Sequence, residues 1–263
     1  MALLTGFNRS TFRHAGKERV VYTRGAGPGV VVMHEIPGIT PQVADFARRV
    51  ADAGFFVSMP VLFGEVGRPI GLAYTGRELI RACISREFHV LASHRSSPIT
   101  EWLRALCRAV HEERGGPGVG AIGMCLTGNF ALALMVDEVM MAPVLSQPSL
   151  PFPIGKERSG ALHLSPDDLK TIKSRCAADP GLKVLGLRFT GDKTCPAARF
   201  ATLRRELGDQ FEAHEIDDKH ANPNTTSPAH SVVTTHLIDE EGQPTRQALD
   251  RVLAYFRERL MPS

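Results

Sequence analysis

The chain is short of most features that assign a protein to a class at first sight. Its 263 residues carry a net formal charge of only +3, with ten histidines scattered along the sequence. There is no basic tract, no Gly-rich phosphate loop and no Cys/His cluster with zinc-ligand spacing, so nucleic-acid binding, metal sites and phosphate-bearing cofactors have no motif to rest on. No apolar run reaches the roughly 18 residues needed to span a bilayer. Residues 1–20 include Asn8, Arg9, Arg13, His14, Lys17 and Glu18 and lack a signal-peptide apolar core. Five cysteines, at 83, 107, 125, 176 and 195, are odd in number and dispersed, which fits a reduced compartment better than a disulfide framework. The expectation is a cytoplasmic protein acting on a small molecule, without nucleic acid, membrane, metal or organic cofactor. A polar linker, an internal repeat and low-complexity sequence are also missing. One domain over residues 1–263 is therefore expected, and a homodimer is left open.

What is present is ordinary globular composition, 43% hydrophobic and 22% charged, arranged as alternating strand and helix patterns. Two β-rich pieces, at 10–14 and 19–24, precede the turn Gly25-Ala26-Gly27-Pro28-Gly29. Val30-Val31-Val32-Met33-His34-Glu35-Ile36 then reads as a buried strand ended by Pro37-Gly38. Pro41 opens a helix to about residue 53 with Val43, Phe46, Ala47 and Val50 on one face, and a strand at 55–59 follows Gly54. This βαβ unit predicts a parallel sheet. Residues 62–97 form a Gly- and Arg-rich excursion with helical character near 77–91, read as a cap or an active-site wall. Helices fit 98–113, 165–178 with Ser165 as N-cap, 197–207 and 245–260, and strands fit 119–122, 138–146, 183–189 and 211–216. The fold class predicted is α/β: a mostly parallel, doubly wound sheet with helices on both faces, whose ligands bind beyond the carboxyl ends of the strands.

Within that alternation, Gly123-Met124-Cys125-Leu126-Thr127-Gly128 places one thiol where a buried strand turns into a helix. The pattern is close to a nucleophile elbow, G-x-S-x-G, with cysteine for serine and the second glycine one residue late. A thiol at a helix N-terminus is biased toward thiolate by the dipole and the free N–H groups. The alternative is a small buried hydrophobe, the usual fate of a free cysteine, so partners elsewhere must decide.

Chain order in the α/β-hydrolase fold is nucleophile, acid, histidine. Asp192, in Thr190-Gly191-Asp192-Lys193 after the 183–189 strand, stands where the acid belongs, although an Asp beside Gly also commonly shapes a turn. Asp217 and Asp218 lie one strand late. Of the downstream histidines, His214 lies inside a strand and His236 is read as approaching the last helix, leaving His220 and His230 on the loop 219–231, with His230 favoured. The backbone N–H groups of Leu126 and Ile36 are the expected oxyanion donors. Glu35, at a strand end facing the elbow, is expected to hold the resting thiol or accept its proton.

At these residues the chain resembles the dienelactone hydrolase family, cysteine-dependent α/β-hydrolases that open enol-lactone rings. The similar parts are His34-Glu35-Ile36-Pro37-Gly38, Met59-Pro60-Val61-Leu62-Phe63, the elbow, the turn from Asp192 to Pro196, and Ala229-His230-Ser231. The resemblance implies a triad of Cys125, Asp192 and His230, a contact between Glu35 and the resting thiol, and hydrolysis of an ester or lactone through a thioester. Two departures stand out. Thr127 replaces an elbow glycine, and Ser231-Val232-Val233-Thr234-Thr235 lacks the arginine with which the family's lactonases grip a substrate carboxylate. Arg81 or Arg86 in the excursion could supply a carboxylate contact. A broad carboxylesterase or thioesterase, and a non-catalytic binding or redox-responsive protein, are the competing expectations.

Overall fold

A computed structural model describes residues 2–68, 71–84, 97–225 and 227–261. Eight strands form one sheet: β1 (Asn8–His14), β2 (Lys17–Arg24), β3 (Gly29–Met33), β4 (Phe56–Pro60), β5 (Val119–Met124), β6 (Met140–Ser146), β7 (Val184–Phe189) and β8 (Phe211–Ile216). Their order is β1-β2-β4-β3-β5-β6-β7-β8. β1 and β2 pair antiparallel and β2 runs antiparallel to β4, while β3 through β8 are all parallel. The helices are α1 (Pro41–Asp52), α2 (Leu72–Ile84), α3 (Pro98–Arg114), α4 (Gly128–Leu134), α5 (Gly155–Gly160), α6 (Pro166–Ala178), α7 (Ala197–Leu207) and α8 (Pro244–Leu260).

Strand alternation divides the core between the two faces of the sheet. Val31, Met33, Val119 and Ala121 point into a layer with α3, α4, α6 and α7. Val30, Val32, Ile122 and Met124 point the other way, onto α1 and α8. Val30, Val31 and Val32 are all fully buried, each contributing on the order of 2 kcal/mol of transfer free energy. Helix starts follow the local chemistry. Thr40 Oγ1 accepts from the Val43 N–H ahead of Pro41, and Ser165 Oγ accepts from the Asp168 N–H ahead of Pro166.

Several boundaries differ from the sequence reading. β3 stops at Met33 rather than residue 36, because His34 leaves the ladder: its Nε2 accepts from the Leu62 N–H (3.0 Å) and its Nδ1–H donates to the Glu35 carbonyl (3.1 Å). β6 begins at Met140 rather than 138 because Asp137 shapes a turn there, accepting from the Val139 N–H. The helix foreseen near 77–91 begins earlier, as α2, and residues 85–91 lie outside the described part. Two described residues of the excursion pack on the turn after β3: Tyr74 donates to the Pro37 carbonyl (3.2 Å), and a Cβ on Gly64 would come within 1.8 Å of that same oxygen. Among the described residues, no helix is long and apolar enough to cross a membrane.

Candidate active site

The carboxyl ends of β3, β5, β6 and β7, and the loop between β8 and α8, converge on Cys125. β5 delivers Cys125 into a single 3-10 turn, Cys125–Thr127, that runs directly into α4. The backbone of Cys125 has φ +55°, the left-handed region a non-glycine residue enters only when its surroundings enforce it. Those surroundings are visible. A Cβ on Gly123 would come within 2.1 Å of the Thr127 carbonyl, and one on Gly128 within 2.4 Å of Pro148 Cα, so both positions exclude side chains. Thr127, the apparent defect in the motif, fastens the turn. Its buried Oγ1 accepts from the Met124 N–H (2.9 Å) and lies within donating distance of the carbonyls of Met33 (3.0 Å), Met124 (3.0 Å) and His34 (3.2 Å). The threonine thus ties the elbow to the end of β3.

The thiols divide by environment. Burial pushes the pKa values of Cys107, Cys176 and Cys195 up, keeping them protonated and inert near neutrality. Cys125 alone of the four described free thiols is half-buried rather than buried.

Asp192 and His230 meet. Asp192 Oδ2 accepts from His230 Nδ1 at 2.6 Å, while Oδ1 accepts from the Thr194 N–H (2.8 Å), the Thr194 hydroxyl (2.7 Å) and the Cys195 N–H (3.2 Å). Burial raises the Asp192 pKa, but the bonds from His230 and Thr194 outweigh it and leave the carboxyl below its ordinary range. At His230, burial works against the charged ring. The charge of Cys125, the Asp192 hydrogen bond and a hydrogen bond with the Cys125 side chain overcome it and raise the pKa well above the ordinary value. His220 lies on the short 3-10 turn Asp218–His220, and His214 is on β8 against Glu212 (2.9 Å). Asp218, a rival acid by sequence, braces the acid loop instead, accepting from the Gly191 N–H at 2.8 Å.

Glu35 is 2% exposed, and its carboxylate gathers three loops. Oε2 accepts from the Ser231 hydroxyl (2.6 Å) and Gln147 Nε2 (3.1 Å), and Oε1 from the Thr234 hydroxyl (2.5 Å). Where the sequence suggested a contact with the resting thiol, the hydrogen bonds among the described residues run to Gln147 and to the histidine loop. Gln147 Oε1 also accepts from the Val232 N–H (3.4 Å), and Gln147 sits at φ +36°. His236 closes the same loop: burial lowers its pKa, and its Nδ1 accepts from the Ser231 N–H at 3.1 Å. The residue after His230 is therefore held from both sides. His34, whose pKa burial lowers to about 4, stays neutral and pins the β3 turn.

Sequence reasoning passed over Gln147, His236 and two arginines. Arg188 on β7 clasps the acid loop from below, donating to the Cys195 carbonyl (2.9 Å), the Thr190 carbonyl (2.9 Å) and Glu215 (2.5 Å). Among the described residues, Arg199 on α7 donates only to backbone carbonyls. Their only signal in the sequence is a charge at an apolar helix or strand position. Of the expected substrate-binding arginines, Arg81 is exposed on α2 and paired with Glu78 Oε1 (3.0 Å), and Arg86 lies outside the described residues. Neither the Ile36 nor the Leu126 N–H is taken by a turn or loop backbone bond among the described residues. No group of three or more His, Cys, Asp or Glu among the described residues could hold a metal ion.

The sheet order and the placement of a strained residue after β5 define the α/β-hydrolase fold. A Klebsiella pneumoniae structure described as a dienelactone hydrolase superposes with a TM-score of 0.62 at 17% identity, covering 96% of this chain and 98% of the other. The model of the dienelactone hydrolase family matches residues 17–154, and the chain belongs to that family. A Saccharomyces cerevisiae protein named for carboxymethylenebutenolidase activity is 26% identical over 119 residues, covering 44% of this chain and 42% of its own length. An Escherichia coli (strain K12) protein named as the hydrolase fragment YghX is 46% identical over 55 residues, 21% of this chain and 47% of its own length. The chain thus matches under half the length of these curated relatives.

Proposed function

We propose that the protein hydrolyses carboxylic esters or lactones with Cys125 as nucleophile, His230 as general base and acid, and Asp192 orienting the imidazole. The observation that carries this reading is the 2.6 Å bond between His230 and a buried carboxylate, beside the half-buried thiol of Cys125 held at φ +55°. The Cys125 thiolate attacks the carbonyl carbon, and the N–H groups of Ile36 and Leu126 receive the oxyanion. His230 gives its proton to the departing alkoxide oxygen, leaving an acyl thioester. It then takes a proton from water, whose hydroxide oxygen attacks the thioester, and returns it to the leaving sulfur. Glu35 serves this cycle by fixing Ser231 and with it the backbone position of His230.

A broad carboxylesterase or thioesterase is favoured over a lactonase for acidic substrates by two observations. Glu35 bonds Thr234 rather than a cation on the loop after His230, and Arg81 is already paired with Glu78. Steady-state hydrolysis of p-nitrophenyl esters, thioesters and dienelactone, with Cys125→Ala as control, tests the assignment. Ester turnover that disappears in the variant supports it, and turnover that survives refutes it. Silence on every acyl substrate with normal iodoacetamide labelling of Cys125 would turn the reading toward a binding or redox-responsive protein.

A further inference from the structure

Arg199 occupies an unfavourable place. It is fully buried, in the first turn of α7 where the helix dipole repels a cation, and burial lowers its pKa to about 10. No carboxylate hydrogen-bonds it among the described residues. Instead Nη1 donates to the Pro148 carbonyl (2.7 Å), Nη2 to those of Pro151 (2.5 Å) and Arg158 (3.0 Å), and Nε to that of Ala161 (3.1 Å). Four backbone acceptors of one segment, residues 148–161, thus converge on a single guanidinium, that of Arg158 also accepting from the Ala161 N–H at the end of α5. Buried charges without a counterion persist where the hydrogen bonds around them are complete.

That segment is fastened to the nucleophile at its other edge. The Ser149 N–H donates to the carbonyl of Cys125 itself (2.9 Å), Asn129 on α4 bonds the Leu150 carbonyl, and Pro148 presses on Gly128. Phe152, Ile36, Phe63 and Cys125 are partly buried side chains packed at the rim of one hydrophobic layer. Two of the four carbonyls lie in or just after α5, the short helix at Gly155–Gly160.

The geometry points to Arg199 as a specificity-determining positioning residue, which holds the wall at 148–161 against Cys125 and so sets the acyl group that fits there. This assignment rests on Cys125 being the acylated nucleophile. A lysine carries the charge but cannot present the planar fork to four divergent carbonyls, so Arg199→Lys should let the wall move while sparing the triad. Hydrolysis of p-nitrophenyl acetate, butyrate and octanoate by the full chain reads the effect. In Arg199→Lys the preference among acyl lengths should change about tenfold through KM, the scale of a misfitted methylene or two. The kcat for acetate and the rate of Cys125 alkylation by iodoacetamide should stay within about threefold. An unchanged acyl preference, with only a lower Tm, overturns the assignment. Phe152→Ala leaves all four guanidinium bonds in place and decides the matter if Arg199 variants fail to fold: it must shift the same preference, and a flat profile refutes the wall. Failure of the catalytic reading looks different, since Cys125→Ala would then retain the wild-type rates on all three esters.

Discussion

Two carboxylates at strand ends, Asp192 after β7 and Glu35 after β3, are both almost inaccessible to solvent yet are built in opposite ways. Asp192 draws its donors from its own turn, two N–H groups and a hydroxyl within three residues, and then offers its free oxygen to His230. Glu35 draws every side-chain donor from distant chain, at residues 147, 231 and 234. The local arrangement preorganises an acid whose charge is stabilised before the histidine arrives. The remote one makes a single carboxylate the knot of three loops. Under the proposed mechanism, chemistry and architecture are thereby divided between two residues of the same type.

The comparison can be broken in five ways, in decreasing order of effect. Asp192→Asn leaves the turn but supplies an amide to His230, favouring the wrong tautomer, and kcat should fall on the order of 10³–10⁴-fold with little change in KM. Glu35→Gln should cost about tenfold in kcat, and Ser231→Ala should reproduce much of it because both loosen the same loop. If Glu35→Gln were as damaging as Asp192→Asn while Ser231→Ala were silent, Glu35 would be acting on the thiol rather than on the loop. Stability provides the third test. The native Asp192 pKa is depressed, so the carboxylate contributes stability that is present above the unfolded value and lost as pH falls through the folded one. Chemical denaturation of wild type and Asp192→Asn at several pH values should show their difference shrinking in acid, and a difference independent of pH would contradict the ionised pair. His34 has the same direction for a different reason. Its pKa is lowered to about 4, so its neutral form is favoured by folding, and stability should fall between roughly pH 6.5 and 4 by about 3 kcal/mol. A His34→Gln variant should lose that slope. Smallest is Thr127→Val, which strands the Met124 N–H and should destabilise by about 1–3 kcal/mol while leaving a nucleophile at position 125.

The parts legible in the sequence were those with a local cause. Alternating apolar runs marked the strands, Pro41 and Ser165-Pro166 marked helix starts, and Gly123 with Gly128 marked the elbow around Cys125. Chain order brought Asp192 and His230 forward as partners. What stayed hidden depended on contacts across long separations: Arg199 reaches carbonyls 38 to 51 residues away, Gln147 reaches Glu35 across 112, and Glu35 reaches Ser231 across 196. Thr127 read as a departure from the motif because its merit lies in the carbonyls of β3, which only the folded sheet brings near. His236 read as the approach to a helix, yet it holds the loop that carries His230.

The central claim is that an acyl group passes through the Cys125 sulfur. Acid-quenched mass spectrometry of the protein turning over p-nitrophenyl acetate, with peptide mapping, tests it most directly. The account predicts an acetyl group on the peptide containing Cys125, released by hydroxylamine and accumulating when His230→Ala slows deacylation. Turnover with that peptide unmodified, or an acyl group carried by another residue, would contradict it.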